Sequence, residues 1–292
     1  MLAARRRYTV PLPGKAPLCL GARTLVMGIL NVTPDSFADG GRHLDPGAAV
    51  EAGVRMAADG ADLIDIGGES TRPGAEPVSA DEERRRVLPV IEGLASRVDI
   101  PISIDTYKAA VARDALAAGA TLVNDISGLL YDPELGQAVA EGGAALVLMH
   151  TRGRSKGMYT LARYAETADE VARELAQAIG RAEGSGVPRA SIVLDPGLGF
   201  AKRAEHSFEV LAHLEEFATL DRPILVGASR KSFLQAALGD REPGAREWGT
   251  AAAVAASVLL GAHIVRVHGV KDMVDVVRVA DRVRASANER SE

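Results

Sequence analysis

The sequence predicts an α/β protein, a (β/α)8 barrel with a short N-terminal β-hairpin, and three observations predict it. Eight short β-rich apolar runs recur along the 292 residues, helix-biased stretches separate them, and most of the runs end in polar or ionisable residues. Strand alternating with helix implies parallel pairing through right-handed crossovers. Eight such units fit a barrel, which takes about 250 residues. An open doubly wound sheet is the alternative, but its dinucleotide fingerprint is missing. After the sixth run Gly197 and Gly199 are followed by Lys202, where a third glycine should stand. There is no Walker-type phosphate loop, and polar residues mark the ends of many strands instead of one switch point.

In chain order, the segments 8–10 and 18–20 flank a Pro/Gly/Lys turn and read as a hairpin closing the barrel's bottom. The strands are expected at 25–31, 63–67, 100–105, 122–126, 145–150, 192–195, 224–229 and 264–268, from their β-branched and apolar content. Between them, 46–58, 81–97, 108–118, 166–183 and 273–284 are long enough and helix-biased enough for α-helices. The Ala-rich stretch 249–262 is apolar on nearly every face, so it is a deeply packed helix or part of a subunit interface. The domain expectation is an extension with the hairpin at 1–24, a single barrel at 25–287 and a tail at 288–292.

Lys plus Arg number 34 against 39 Asp plus Glu, a formal charge of −5. That balance disfavours nucleic acid and anionic membranes, which are held by diffuse positive charge. A compact anionic ligand needs only a local basic site and is not excluded. Cys19, the one cysteine, cannot form an intramolecular disulfide. Arg5, Arg6 and Arg7 imitate the basic start of a signal peptide, but Pro11, Pro13, Lys15 and Pro17 interrupt any apolar run after them. The longest apolar stretch, 251–260, falls short of the roughly 20 residues a bilayer requires. A cytoplasmic protein without nucleic-acid or membrane partners is expected.

Residues two apart on a strand share a face. Asn31 follows Met27 and Ile29, Asp105 follows Ser103, and Arg266 and His268 point away from Val265 and Val267. If the valines face the helices, then Asn31, Asp105, Asn124, Asp195, Lys231, Arg266 and His268 converge on the barrel mouth. Asp105, Asn124 and Asp195 offer two carboxylates and an amide, a set suited to a flat heterocycle with ring NH, amino and oxo groups. Arg266, His268, Asn31 and the segment Ser70-Thr71-Arg72 offer donors for a phosphate or diphosphate. Lys231, one of six lysines, follows the seventh strand, where barrels often bind phosphate. Singly each has a plain structural reading: an Asp as a helix cap, Asn124 beside Asp125 as turn chemistry, His150 and His268 as buried structural rings. Their conjunction points to a phosphorylated aminoheterocycle. His263 and His268 are an odd number of residues apart and face opposite sides of a strand, so no cluster of histidines and carboxylates for a metal is apparent.

Two long segments resemble dihydropteroate synthase, the folate-pathway enzyme family targeted by sulfonamide drugs. They are Met27-Gly28-Ile29-Leu30-Asn31-Val32-Thr33-Pro34-Asp35-Ser36-Phe37, with Asp39-Gly40-Gly41, and Asp65-Ile66-Gly67-Gly68-Glu69-Ser70-Thr71-Arg72-Pro73-Gly74. Ser103-Ile104-Asp105-Thr106, Asn124-Asp125, Leu194-Asp195-Pro196-Gly197, Ser229-Arg230-Lys231 and Arg266-Val267-His268 add to the likeness. The resemblance implies a TIM barrel that condenses 6-hydroxymethyl-7,8-dihydropterin diphosphate with p-aminobenzoate, giving 7,8-dihydropteroate and pyrophosphate. It implies pterin binding by Asp105, Asn124, Asp195, Lys231 and Arg266, and diphosphate binding by Asn31, Thr71, Arg72, Arg266 and His268. Phe37, Thr71, Pro73, Phe200, Lys231 and Ser232 would form the p-aminobenzoate pocket. Asn31 would hold Mg²⁺. Lys231, Asp105, Arg266 and His268 would be catalytic, with Asp35 completing the site on loop closure. A homodimer through outer helices is also implied.

The chain departs from the family pattern after the fifth strand, where Met149-His150 leads into Thr151-Arg152-Gly153-Arg154-Ser155-Lys156-Gly157-Met158-Tyr159 without the usual Pro and Gln. Gly269 also stands where an Asp commonly follows the Arg-Val-His triplet. The alternatives are a methyltransferase-type pterin-binding barrel and a paralogue that binds pterin without turnover.

Overall fold

The computed structural model describes residues 5–33, 45–70, 74–154 and 157–289. Strands β1 (Tyr8–Leu12) and β2 (Lys15–Leu20) form an antiparallel hairpin. Then follow β3 (Leu25–Asn31), α1 (Pro46–Ala58), β4 (Leu63–Gly67), α2 (Ala80–Ala95), β5 (Ile102–Asp105), α3 (Ala109–Ala117), β6 (Leu122–Asp125), α4 (Leu135–Glu141) and β7 (Ala145–Met149). The rest comprises α5 (Thr167–Gly184), β8 (Ile192–Asp195), α6 (Ala204–Ala212), β9 (Leu225–Val226), α7 (Gln235–Leu238), α8 (Glu247–Leu259), β10 (Ile264–Val267) and α9 (Val270–Glu289).

The sheet order is β8-β7-β6-β5-β4-β3-β10-β9, and every pairing within it is parallel. A parallel bridge between Leu194 and Ile224 joins its two ends and closes the barrel. The expected eight strands are all present, several of them shorter than expected. β5 starts after Pro101, which has no N–H for the ladder. β9 is only two residues long, and the chain leaves the ladder at Gly227 before the turn at Ser229 and Arg230.

The alternation of faces builds two cores. Outward residues such as Ile64, Ile66, Ile104, Leu146, Leu194 and Val267 pack against the helices. Inward residues at the strand starts, Leu25, Leu63, Leu122, Ala145, Leu225 and Ile264, pack against Val10, Leu12, Leu18 and Leu20 of the hairpin. The hairpin is therefore the floor of the barrel. Gly21, at φ +104°, lets the chain pass from floor to wall, since a Cβ there would lie 2.2 Å from the carbonyl of Arg6. Leu20 is 2 % exposed within this plug. Leu20→Ala should lower stability by about 2–5 kcal/mol, read from the midpoint of chemical denaturation; a loss well under 1 kcal/mol would remove the hairpin from the core.

Helix starts carry their own signals. Asp45 Oδ1 accepts from Gly47 N at 2.8 Å ahead of Pro46, the first residue of α1, and Ser79 Oγ accepts from Glu82 N at 3.2 Å at the head of α2. α9 runs from Val270 to Glu289, longer at both ends than the expected 273–284, with Val270, Met273, Val274, Val277 and Ala280 buried along one stripe. Among the described residues no helix is long and apolar enough to cross a membrane.

Candidate active site

Strand register places a row of residues across the mouth. Asn31 pairs with Gly67, Gly67 with Asp105, and Asp105 with Asn124. Gly67 opens a space in that row: a Cβ on it would lie 3.7 Å from both Asn31 Oδ1 and Asp105 Oδ2. One pleat deeper, Asp65 sits between Ile29 and Ser103 and is 0 % exposed. Arg266 reaches down from β10 and binds both acids, Nε donating to Asp65 Oδ2 and Nη2 to Asp105 Oδ2, each at 2.6 Å. Asn124 Nδ2 donates to the same Asp65 oxygen at 2.9 Å, which fixes the amide and leaves its carbonyl oxygen as an acceptor. A buried carboxylate and a half-buried one thus share one guanidinium. Burial pushes the Asp105 pKa up to about 7, against the pull of Arg266, and the Asp65 charge adds to the rise.

Asp65 was not foreseen as a site residue. It lies within an apolar strand between Ile64 and Ile66, and only counting by twos from Leu63 shows that it faces inward. Among the described residues, its Oδ1 and the Ser103 hydroxyl beside it have no hydrogen-bond partner.

Across the mouth stand Asp195 and Lys231. Asp195 Oδ1 accepts from Gly197 N at 2.7 Å, and burial raises its pKa while Lys231 opposes the rise. Lys231 Nζ donates to the carbonyl of Leu198 at 2.6 Å and lies 4.5 Å from the centre of the Phe200 ring. Burial brings its pKa down to about 8. Gly227 marks where the two halves meet, for a Cβ there would lie 3.8 Å from Asp195 Oδ2 and Lys231 Nζ and 3.9 Å from Arg266 Cβ.

Lys231 owes its place to a strained turn. Arg230 holds φ 59°, the left-handed region that L-residues rarely adopt. Helix α8 and the turn before it stabilise it: Arg230 N donates to Thr250 Oγ1 at 3.0 Å, Arg246 Nη1 donates to the Arg230 carbonyl at 2.9 Å, and the Arg230 guanidinium pairs with Glu247. Ser232 is exposed directly after Lys231. His268 stands past the end of β10, its Nδ1 2.9 Å from Ser229 Oγ. Thus Asn31, Asp105, Asn124, Asp195, Lys231, Phe200 and Arg266 gather at one mouth, with Ser232 and His268 on its rim. Asp35, Phe37, Thr71, Arg72 and Pro73 lie outside the described residues.

This arrangement offers acceptors for an amino-pyrimidine edge, a flat cation for its face and an ammonium beside an aromatic ring. The model of a family described as pterin binding enzymes matches residues 27–268. A dihydropteroate synthase of Synechocystis sp. is 47% identical over 275 residues, covering 94% of this chain and 95% of its own. The chain belongs to the dihydropteroate synthase family. Two solved structures of the Xanthomonas albilineans synthase superpose on it. The one with 4-aminobenzoic acid has a TM-score of 0.88 at 42% identity, covering 96% of this chain and 99% of its own. The one in complex with 7,8-dihydropteroate has a TM-score of 0.84 at 40% identity, covering 95% and 99%. The expectation of a dihydropteroate synthase, a transferase of folate biosynthesis, is therefore met, and so is that of a TIM barrel.

Proposed function

We propose that the chain joins 6-hydroxymethyl-7,8-dihydropterin diphosphate to p-aminobenzoate, releasing pyrophosphate, with the pterin held between Asp105, Asn124 and Asp195 and against Arg266. The observation that carries this is the mouth itself, where carboxylates from β5 and β8 face one another across the Arg266 guanidinium and Gly227. Carboxylates accept the ring NH and amino protons of the pterin, the amide of Asn124 completes the edge, and Arg266 packs on the ring face. Asp195→Asn should weaken pterin binding by roughly 1–3 kcal/mol, the scale of a charge-assisted hydrogen bond. Unchanged affinity by titration calorimetry would remove Asp195 from pterin recognition.

The reaction breaks the bond from the methylene carbon to the diphosphate oxygen and forms one to the aniline nitrogen, which then gives up a proton. The electron-rich dihydropterin spreads positive charge from that carbon, so departure precedes attack in an SN1-like displacement. Asp105 and Asp195 stabilise the cationic pterin, and Arg266, His268, Thr71 and Arg72 stabilise the leaving diphosphate. Phe200, Lys231 and Ser232, with Phe37, Thr71 and Pro73, line the p-aminobenzoate pocket, where a weakly basic aniline attacks without a strong general base. Asp35 supplies a further carboxylate to this site.

The donor set suits Mg²⁺. At Gly67 the position a Cβ would take lies 3.7 Å from both the neutral Asn31 Oδ1 and Asp105 Oδ2, so oxygen donors face one cradle. Mg²⁺ takes few protein ligands and keeps its waters. Asn31 together with the substrate diphosphate would hold it there, and its charge would neutralise the leaving group.

A homodimer fits the outer face of α8 and α9, where Trp248 is 85 %, Val279 67 % and Val283 53 % exposed. A single monomeric species in sedimentation velocity would overturn the dimer. The same reading puts the protein in the cytoplasm. Pyrophosphate release with both substrates and Mg²⁺ tests the activity; folded protein that releases none overturns it.

A further inference from the structure

The segment that follows β8 is turned back by one main-chain hydrogen bond of its own, Phe200 N to the Gly197 carbonyl at 3.1 Å, and its other carbonyls rely on side chains. φ is 69° at Gly197, 78° at Gly199 and 46° at Ala201, the last without the freedom of a glycine. Side chains supply the rest. Lys202 Nζ donates to the carbonyls of Gly197 at 3.1 Å and Phe200 at 3.2 Å. Lys231 takes that of Leu198, Tyr159 Oη that of Gly199 at 3.3 Å, and Tyr164 Oη that of Ala201 at 3.0 Å. Every carbonyl from Gly197 to Ala201 therefore has a side-chain donor.

Lys202 is the hub and is 1 % exposed. Its Nζ also lies 2.7 Å from His150 Nδ1, so the amine meets three polar partners while burial pushes its pKa well below the ordinary lysine value. His150 must then accept at Nδ1 and carry its proton on Nε2, which donates to Glu174 Oε2 at 2.9 Å. Burial, with Lys202 alongside, holds the His150 pKa down to about 4, as a neutral ring requires. Arg152 Nε donates to Glu174 Oε1 at 3.0 Å, Arg152 Nη2 donates to Glu170 at 2.8 Å, and its guanidinium lies 4.0 Å from the centre of the Tyr164 ring. The circuit closes where Tyr164 returns to Ala201. It is also locked at its base, because His150 N donates to the Asp195 carbonyl at 2.9 Å and a Cβ on Gly197 would lie 2.1 Å from the His150 carbonyl.

A buried lysine is costly, and replacing a buried charged group with apolar packing is often neutral or stabilising. Nothing in the reaction as read above uses Lys202, His150, Glu174 or Tyr164. We propose that they are positioning residues for p-aminobenzoate, acting through the 196–201 loop to set the Phe200 ring against the Lys231 ammonium. The segment after β7, where this chain departs from the family pattern, supplies the outer half of the clamp through Arg152, Tyr159 and Tyr164. The proposal rests on the reading of Phe200 and Lys231 as walls of the p-aminobenzoate pocket.

Two variants test it. Lys202→Met removes all three contacts, and Tyr164→Phe removes one hydroxyl while keeping the ring under Arg152, so the second stays informative should the first not fold. KM for p-aminobenzoate should rise about tenfold in Lys202→Met and about threefold in Tyr164→Phe, with kcat within about twofold of wild type and pterin affinity by calorimetry unchanged. A merely structural role would lower Tm and the active fraction and leave KM where it was. That outcome in folded Tyr164→Phe, or an unchanged KM in both variants, overturns the proposal. A wild-type chain that turns over neither substrate overturns the parent reading instead, so the two failures are distinguishable.

Discussion

Lys231→Ala is expected to lower kcat/KM by about 10²–10³-fold while the protein stays folded, the range seen when one preorganised donor is taken from a reacting centre. The fold should tolerate the change because the Lys231 ammonium donates to a main-chain carbonyl, that of Leu198, and burial disfavours its charge. A near-normal kcat/KM, measured by pyrophosphate release, would remove Lys231 from the site. The pH profile supplies a second check. Burial puts Lys231 at about 8 and Asp105 at about 7. If the ammonium and the carboxylate are the working forms, kcat/KM falls as pH rises through about 8 and falls as pH drops through about 7, giving a narrow bell. Lys231→Arg stays protonated over this range and should lose the alkaline limb while keeping the acid one. A flat wild-type profile from about pH 6 to 9 would reject both assignments.

Much of this site was legible in the sequence because barrels write their function at strand ends. Asn31, Asp105 and Asp195 close their strands, Asn124 and Arg266 stand one residue before the ends of theirs, and counting by twos along the strands points to the inner face. Asp65 was not read out because it sits one pleat deeper, in a strand that looks uniformly apolar, and its importance comes from a partner 201 residues away. Lys202 and His150 were invisible for a related reason. His150 read as a structural ring at a strand end, and the 52 residues separating it from Lys202 carry no spacing that marks a contact. Strand lengths were overestimated where the last residues leave the ladder to serve the mouth, as at Gly227 and Ser229. The seven-residue α4, with Gly136 inside it, is too short to display a helical period.

Arg266→Met should have the largest effect on both stability and activity, because it strands the carboxylates of Asp65 and Asp105. The side chain keeps much of the arginine stem's volume but removes the cation that Asp65 and Asp105 share. Breaking a buried pair from one side costs about 3–5 kcal/mol, most of it the penalty of an uncompensated buried charge. Asn124 still donates to Asp65, so the excess charge should settle by protonating Asp105, whose pKa already stands near 7 and would climb further. A carboxyl with a folded pKa above its unfolded value of about 3.9 binds more protons folded than unfolded, so stability falls as pH rises through that window. Relative to wild type, the variant should therefore be least impaired near pH 4 and progressively more impaired toward pH 8 and above. Denaturant titrations across that range would show a deficit widening with pH. A deficit constant with pH would mean that Arg266 contributes packing alone, and that the two acids do not depend on it for their charge. Arg266→Lys separates the electrostatic part from the geometric one. A lysine ammonium can neutralise the acids but cannot reproduce the two parallel donations at 2.6 Å or lie flat on a ring. Most of the stability should return in that variant, whereas pterin affinity and kcat/KM should stay low. Recovery of both together would show that charge alone at this position suffices, and that the forked contact to Asp65 and Asp105 plays no part in holding the pterin.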